Sequence, residues 1–466
     1  MKHNTTKPSK KSDRGNVVKY TTSLPKQHPH CAGIDLGARE HWVAVPPDHS
    51  ETPVRSFGCC TPDLQAMGAW LRECGITSVA MESTGVYWVP VFQILETFGL
   101  EVKLVDAHHV KNVSGRKSDV SDCQWLQQLH SVGLLAAAFR PEDSICVLRS
   151  YCRHRESLVQ GCAQQIHHMQ KALEQMNLQL HKVISDISGV TGFKIIRAIV
   201  AGERDPQVLA QHRHPNIKCS TEKIMDALTG DYRPEHVFAL QQAVELYDIF
   251  QCKVQQCDEQ IQAHLSTFER KAQAGSIPAH RNKTKGKRRK NEPYFDLRKS
   301  LYEVAGVDLT QIDGIDALTA QVILSECGHD MSPFPTEKHF ASWLGLCPNN
   351  RKTGGKIRSR HTRHVQNRIA NALRVAAHSL HHSKSALGAF YRRMKGRLGP
   401  AKAIMATAHK LACQIYRMLK FGQEYHDIGA QAYEERFLEK RRRALINNAK
   451  DLGYDLVDGK TGELVS

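Results

Sequence analysis

Four acidic residues are the first candidates for chemistry in this chain. Asp35 lies inside an apolar run, where an ionised carboxylate loses solvation unless a cation compensates it. Glu82 follows a second apolar run, and Asp119 and Asp122 have the spacing that places two side chains on one face of a helix. Carboxylates that a fold brings together repel each other, and one or two Mg²⁺ or Mn²⁺ ions would relieve that repulsion. Such a site assists phosphoryl transfer.

The same acids also have an ordinary structural explanation. An acidic pair on a helix is usually a solvated face, and each carboxylate alone could be a surface group. Their combination in this order favours a metal site made of Asp35, Glu82, Asp119 and Asp122. The 14 cysteines are scattered and lack the spacing of a zinc site, so we expect reduced thiols packed as small apolar groups.

Positive charge indicates a polyanionic partner. The formal net charge is +17, and residues 338–423 contain no Asp or Glu among many Lys and Arg. Such a stretch gains free energy by releasing the counterions of a phosphate backbone, whereas a merely solvated basic face would normally include compensating acids. Gly314 lies in a helix-hairpin-helix-like segment, which could present backbone amides to a phosphate or could be a plain turn between helices. The residues predicted to contact nucleic acid are Lys117, Gly314, Arg351, Lys352, Gly354, Gly355, Lys356, Arg358, Arg360 and Arg363.

The elements that must position the acids follow from local patterns. Three short apolar runs predict an antiparallel meander, and Thr61 and Pro62 predict the N-cap and first position of a helix that ends at Gly75. A strand, a helix, a strand and another helix follow, which is the order of a ribonuclease-H-like fold, where the first strand, the fourth strand and the last helix converge. The predicted strands are 31–36, 41–45, 54–57, 77–81 and 101–105, and the second helix covers about 87–98.

The fold class predicted for the whole chain is α/β plus α. A ribonuclease-H-like N-terminal domain precedes a long helical or coiled-coil middle, read as a spacer or dimerisation arm, and a mainly helical C-terminal domain. No stretch approaches the ~18 apolar residues of a membrane span, so we expect a cytoplasmic protein with no membrane partner. The predicted segments are a basic arm at 1–29, the acidic-site domain at 30–140, the helical region at 141–270 with an interruption near 189–231, a basic linker at 271–295, the C-terminal domain at 296–425 and a tail at 426–466.

Several motifs resemble one known family. GIDLG at 33–37, MESTG at 81–85 and KSDVSD at 117–122 are similar to the DEDD signature of insertion-sequence transposases, whose N-terminal domain resembles the Holliday-junction resolvase RuvC and whose members include the invertase Piv. GIDALTA at 314–320, FASWLGLCP at 340–348 and KTGGK at 352–356 resemble the C-terminal transposase domain of that family.

The resemblance implies excision and insertion of a mobile element in double-stranded donor and target DNA, guided by a structured bridge RNA. It also implies a homo-oligomer, dimer or tetramer, with an active site composed from two subunits and a serine nucleophile. Thr353 stands where the family has that serine, and its extra methyl group crowds the approach to phosphorus. Thr353 could act, Ser359 could replace it, or the copy could be inactive. A metal-dependent junction nuclease using water and a non-catalytic nucleic-acid-binding protein are the alternative functions.

Overall fold

The computed structural model describes residues 25–83, 85–105, 119–279, 291–359, 361–363, 365–459 and 461–464, with backbone only at 119–121, 274, 351 and 352. Lys117, Arg360 and residues 280–290 of the basic linker therefore lie outside the described residues. The chain divides into two compact units, residues Met1–Arg140 and Pro141–Ser466. Within the described part, no helix is both long and apolar enough to cross a membrane.

A mixed five-stranded sheet organises the first unit. The order is β3-β2-β1-β4-β5, with β1, β2 and β3 antiparallel and with β1, β4 and β5 parallel. The predicted antiparallel meander is therefore confirmed. Strand boundaries are β1 Cys31–Leu36, β2 Glu40–Ala44, β3 Val54–Gly58, β4 Ser78–Glu82 and β5 Glu101–Val105. The helices of this unit are α1 Thr61–Glu73, α2 Trp88–Thr97 and α3 Asp119–Ser131.

Helix α1 begins differently from the sequence prediction. Cys60 is the N-cap, and Thr61 is already the first helical residue, so the prediction of Thr61 as cap is wrong by one position. The carboxylate of Asp63 accepts a hydrogen bond from the Cys60 amide at 3.3 Å. Because this acid stabilises the start of the helix, the helix does not need a hydroxyl at the position before it.

The two faces of the sheet carry different residues. Alternate β1 and β4 positions, including Ile34 and Met81, belong to an apolar core with the buried sides of α1 and α2. The opposite face lies under α3, and a Cβ added at Gly33 would be 2.3 Å from the Cys123 carbonyl oxygen. Since no side chain fits at that distance, glycine at this position allows α3 to pack directly on β1.

A buried histidine in the last turn of α3 contacts the amino end of β4. His130 is 1% exposed, and its Nε2 is 2.9 Å from the Ser78 hydroxyl. Burial, followed by the positive charge of Lys103, lowers the pKa of His130 to about 4. Below pH 6.5 the unfolded chain binds a proton that the folded chain does not bind until pH 4, so protonation favours unfolding across this window.

We predict that the free energy of unfolding falls as pH drops from about 6.5 to about 4, by up to about 3 kcal/mol. Urea titrations at a series of pH values measure this change. His130→Leu should make the profile shallower, because the other histidines whose pKa burial lowers, such as His41, remain. The matched variant His167→Leu, at an exposed helical position, should leave the profile intact. An unchanged profile in His130→Leu would show that another group causes the loss.

Two long helices dominate the second unit. Helix α4, Asp143–Gln175, packs along α9, Pro234–Leu265, to form a helical hairpin in the region predicted to be long and helical. Arg155 and Asp258 form a buried ion pair between them, and the Arg155 guanidinium also donates to the Asn291 carbonyl at 2.8 Å. Removing one partner would leave a buried charge, a change that typically costs about 3–5 kcal/mol.

The predicted interruption of this hairpin is a small folded cluster. Four helices pack on the ends of α4 and α9 around a core that includes Ile195, Ile199 and Leu228. The apolar period of the sequence breaks here because these helices are short. Glycines and polar residues occupy the capped turns that separate them. Their bounds are α5 Leu180–Val183, α6 Val190–Val200, α7 Pro206–Ala210 and α8 Thr221–Leu228.

The described residues that follow α9 are mainly helical and include a short β-hairpin that the sequence analysis did not predict. The hairpin strands are β6 Arg351–Thr353 and β7 Lys356–Ser359, which pair antiparallel. Short 3₁₀ segments occur at Ala274–Ser276, Leu309–Gln311 and Leu380–His382. The helices are α10 Leu297–Ala305, α11 Ala317–Cys327, α12 Glu337–Trp343, α13 Arg368–Ser379, α14 Ala386–Leu398, α15 Pro400–Phe421 and α16 Gly429–Asp451.

Candidate functional site

Asp35 and Glu82 occupy neighbouring positions on adjacent strands. The parallel register pairs Ile34 of β1 with Met81 of β4, so the next residue on each strand is Asp35 and Glu82. Adjacent strands lie about 4.8 Å apart, and alternation directs both carboxylates to the face that carries Gly33. Both residues are half-buried at the carboxyl ends of their strands. Two of the four predicted acids are thus side by side.

Helix α3 brings the other two acids toward the same end of the sheet. Its C-terminal part contacts the start of β1, where the Cys31 thiol donates to the Gln127 carbonyl at 3.6 Å. Its middle crosses Gly33, so α3 runs antiparallel to β1 and its first turn lies over the end of the strand. Asp119 is the first residue of α3, and Asp122 is half-buried in that turn.

The electrostatics of Cys123 support this placement. Burial, together with the smaller effect of the negative charges of Asp35 and Asp122, raises the pKa of the Cys123 thiol to about 12. Both carboxylates are therefore near the same buried sulfur. Among the described side chains, no three His, Cys, Asp or Glu residues are arranged to hold a metal ion, and the side chain of Asp119 is not among them.

The donor chemistry of this cluster suits a hard divalent cation. Asp35, Glu82 and Asp122 supply carboxylate oxygens, the ligands that Mg²⁺ and Mn²⁺ prefer over nitrogen and sulfur. The nearby Cys123 is buried and its raised pKa keeps it as a thiol, so it does not compete as a thiolate ligand. The residues present therefore fit a Mg²⁺ or Mn²⁺ site rather than a zinc site.

Thr353 lies at the tip of the β6–β7 hairpin. Gly354 and Gly355 form the two-residue turn with φ of +55° and +76°, values that both need glycine in a type I′ turn. Thr353 pairs with Lys356 across the turn and is exposed. The two glycines between short strand-like runs were the signal that sequence reasoning missed, because it treated them only as part of a family motif.

The neighbouring predicted residues differ in their surroundings. Ser359 lies at the far end of β7, where its hydroxyl accepts a hydrogen bond from the His361 amide at 3.4 Å. Lys356 and Arg358 are exposed, and Arg363 donates to the Ser342 carbonyl at 2.9 Å. Only the backbone of Arg351 and Lys352 is described. The hairpin thus presents Thr353 between cationic residues.

The remaining predicted contacts are only partly free for nucleic acid. Gly314 has φ of +88° and is exposed, and a Cβ there would be 2.9 Å from the Ala376 carbonyl oxygen, so packing alone accounts for glycine here. Within the acid-free stretch, Arg368 pairs with Glu326 and Glu156, and Arg417 pairs with Glu337, all from outside the stretch. Part of the positive charge is therefore balanced inside the protein, which composition alone does not reveal.

Comparison with known proteins connects these two regions to one family. Residues 32–178 match the DEDD model of the IS110 elements, described as a transposase, and residues 306–392 match the model of the IS116/IS110/IS902 transposase family. The chain belongs to the IS110 family of DEDD transposases. The first match covers Asp35, Glu82, Asp119 and Asp122, and the second covers Gly314 and the β6–β7 hairpin.

A curated relative supports the same family. The chain is 29% identical over 119 residues to the "Insertion element IS110 uncharacterized 43.6 kDa protein" of Streptomyces coelicolor. The alignment covers 25% of this chain and 29% of that relative. The similarity therefore covers only a part of this chain and a part of that relative.

Proposed function

We propose that this chain is a transposase or site-specific recombinase that excises and inserts a mobile element by metal-assisted phosphoryl transfer. The observation that carries the proposal is the side-by-side placement of Asp35 and Glu82 under the first turn of α3, within the segment that matches the DEDD family. The strand order β3-β2-β1-β4-β5, with an antiparallel meander followed by parallel strands, supports a ribonuclease-H-like assignment of this unit.

In this proposal Asp35, Glu82, Asp119 and Asp122 hold Mg²⁺ or Mn²⁺. When bound, the ion neutralises charge that develops on the phosphate oxygens during strand cleavage. The chain supplies the carboxylates on rigid strands and on the start of α3, and Gly33 lets the helix approach closely enough to contribute its two acids. The positive end of the helix dipole adds a favourable term for the clustered carboxylates.

Thr353 is the proposed nucleophile. Its hydroxyl oxygen bonds to phosphorus while its proton passes to water or a basic neighbour, and the sugar oxygen leaves the phosphorus and takes up a proton. Lys356 and Arg358, exposed on the same hairpin, would hold the strand by its phosphates. The extra methyl group of threonine hinders attack by its hydroxyl group, which favours a second candidate function. In this alternative the protein is a junction nuclease, the same carboxylate site activates water, and no covalent intermediate forms.

The proposed partners are double-stranded donor and target DNA, a structured guide RNA and further copies of the chain. The net charge of +17 supports polyanionic partners, and exchange of two strands in register requires at least a dimer. DNA and RNA both have a phosphate backbone that attracts positive charge, so the net charge supports binding of either and does not favour one over the other.

A strand-exchange assay tests this function. A donor plasmid carries the coding sequence with its native flanking DNA, which supplies any RNA encoded there, and junctions are amplified after incubation with Mg²⁺ or Mn²⁺. We expect excision and insertion junctions that disappear when EDTA removes the metal or when the flanking DNA is scrambled. Junctions that persist in EDTA, or none with wild-type protein, would reject the proposal.

A further inference from the structure

A cavity lies at the base of the β6–β7 hairpin. Its volume is about 350 Å³, within the range of pockets that hold a small ligand. Leu344, Leu346 and Ala370 are buried residues that line it, and Met405 of α15 is half-buried beside them. The apolar part of the lining is formed by side chains that the C-terminal core holds in place.

Polar and cationic side chains line the remaining wall. Arg363, Gln366, Asn371 and Arg374 all contribute, and none of the described residues that line the cavity is acidic. Arg374 donates to the side-chain oxygen of Asn371, which orients the amide in the first turn of α13. An apolar floor with amide groups and two guanidinium groups at the wall suits a flat heteroaromatic ring attached to a phosphate.

The cavity is continuous with the hairpin that carries Thr353. Thr362 lines the cavity and also forms a β-bridge with Pro348 at the base of the hairpin. Thr353 is five residues beyond Pro348, and five residues of fully extended chain span at most about 17 Å. One nucleic-acid strand could thus reach both places, with about five nucleotides between them at 3.4 Å each.

We infer that this cavity binds one unpaired base of the DNA strand whose phosphodiester is presented to Thr353. The base lies on the apolar floor, Gln366 and Asn371 hydrogen-bond its edge, and Arg363 and Arg374 neutralise the adjacent phosphates. Extrusion of a base from the stack costs free energy, and an already unpaired nucleotide avoids that cost. The inference rests on the proposed function for the identity of the strand, whereas the binding preference does not require cleavage.

The test uses the full chain and two DNA duplexes of one arbitrary sequence, one with a single bulged 2-aminopurine and one without it. We expect wild type to bind the bulged duplex about tenfold more tightly and to change the 2-aminopurine fluorescence. Gln366→Ala combined with Asn371→Ala should lose the preference, and so should Met405→Trp, which fills the cavity. His378→Ala, an exposed change on the same helix, should retain it. Circular dichroism confirms that each variant is folded.

Thr353→Ala separates this inference from the proposed function. That variant should keep the full preference for the bulged duplex, even where it makes no covalent adduct, so a chain that lacks recombinase activity could still pass this test. An equal affinity of wild type for both duplexes would overturn the inference. So would a preference that survives in both cavity variants, or an equally strong preference for the bulged RNA duplex of the same sequence.

Discussion

Replacing Thr353 with alanine is expected to abolish the covalent protein–DNA adduct while leaving DNA binding intact. The substitution removes the only atom of this side chain that can bond to phosphorus, and the exposed hairpin tip loses no packing. The expected loss is at least roughly 10³-fold, the effect of removing about 4 kcal/mol of transition-state stabilisation. Adducts are trapped by denaturation after incubation with labelled DNA and are resolved by gel electrophoresis.

Two further variants make this result specific. Thr353→Ser keeps the hydroxyl and removes the methyl group, so we expect adduct formation at least as fast as in wild type. Ser359→Ala removes the neighbouring hydroxyl, which accepts a hydrogen bond from the His361 amide, and should leave the adduct unchanged. Cleavage without an adduct in wild type, unaffected by Thr353→Ala, would instead favour the water-dependent nuclease.

Asp35→Asn is expected to abolish strand cleavage with comparable severity. The amide keeps the shape of the side chain and removes the negative charge that lies beside Glu82 and near Asp122. Loss of one carboxylate ligand weakens the hold on a divalent cation, whose contribution of several kcal/mol corresponds to roughly 10³-fold in rate. Cleavage of labelled donor DNA at saturating Mg²⁺ measures the effect.

The matched control for this prediction is Glu73→Gln. Glu73 is an exposed carboxylate at the end of α1 in the same unit, so the change removes the same charge away from the site. It should leave cleavage within about twofold of wild type, as most surface substitutions have small effects. DNA binding by Asp35→Asn should survive, and full cleavage activity in that variant would exclude Asp35 from the reaction.

The sequence analysis predicted the five-stranded sheet more accurately than it predicted the segments of the chain that lack a sustained apolar periodicity. Strands β1 and β5 have the predicted bounds, and the ends of β2, β3 and β4 lie within one residue of the prediction, because alternation on a half-buried sheet is a strong signal. The cap of α1 was wrong since Cys60 is not a usual cap residue, and Asp63 compensates for it. The short helices between α4 and α9 were missed because each spans too few turns to give a clear apolar period.

Some features of the candidate site could likewise be predicted from the sequence, and others could not. The adjacency of Asp35 and Glu82 follows from strand order and could be predicted, since register neighbours at the carboxyl ends of parallel strands must meet. The hairpin around Thr353 was missed because β6 and β7 are too short for an alternation pattern. The pairing of Arg417 with Glu337 depends on residues far apart in the chain, so no local pattern could reveal it.

Diffraction from crystals soaked in Mn²⁺ tests whether the acidic cluster binds a metal ion. We expect an anomalous peak with carboxylate oxygens of Asp35 and Glu82 both within about 2.2 Å of the ion. The peak should be absent from crystals of Asp35→Asn and present in those of Glu73→Gln. A well-ordered site without Mn²⁺, or an equal peak in Asp35→Asn, would contradict the assignment of these acids as metal ligands.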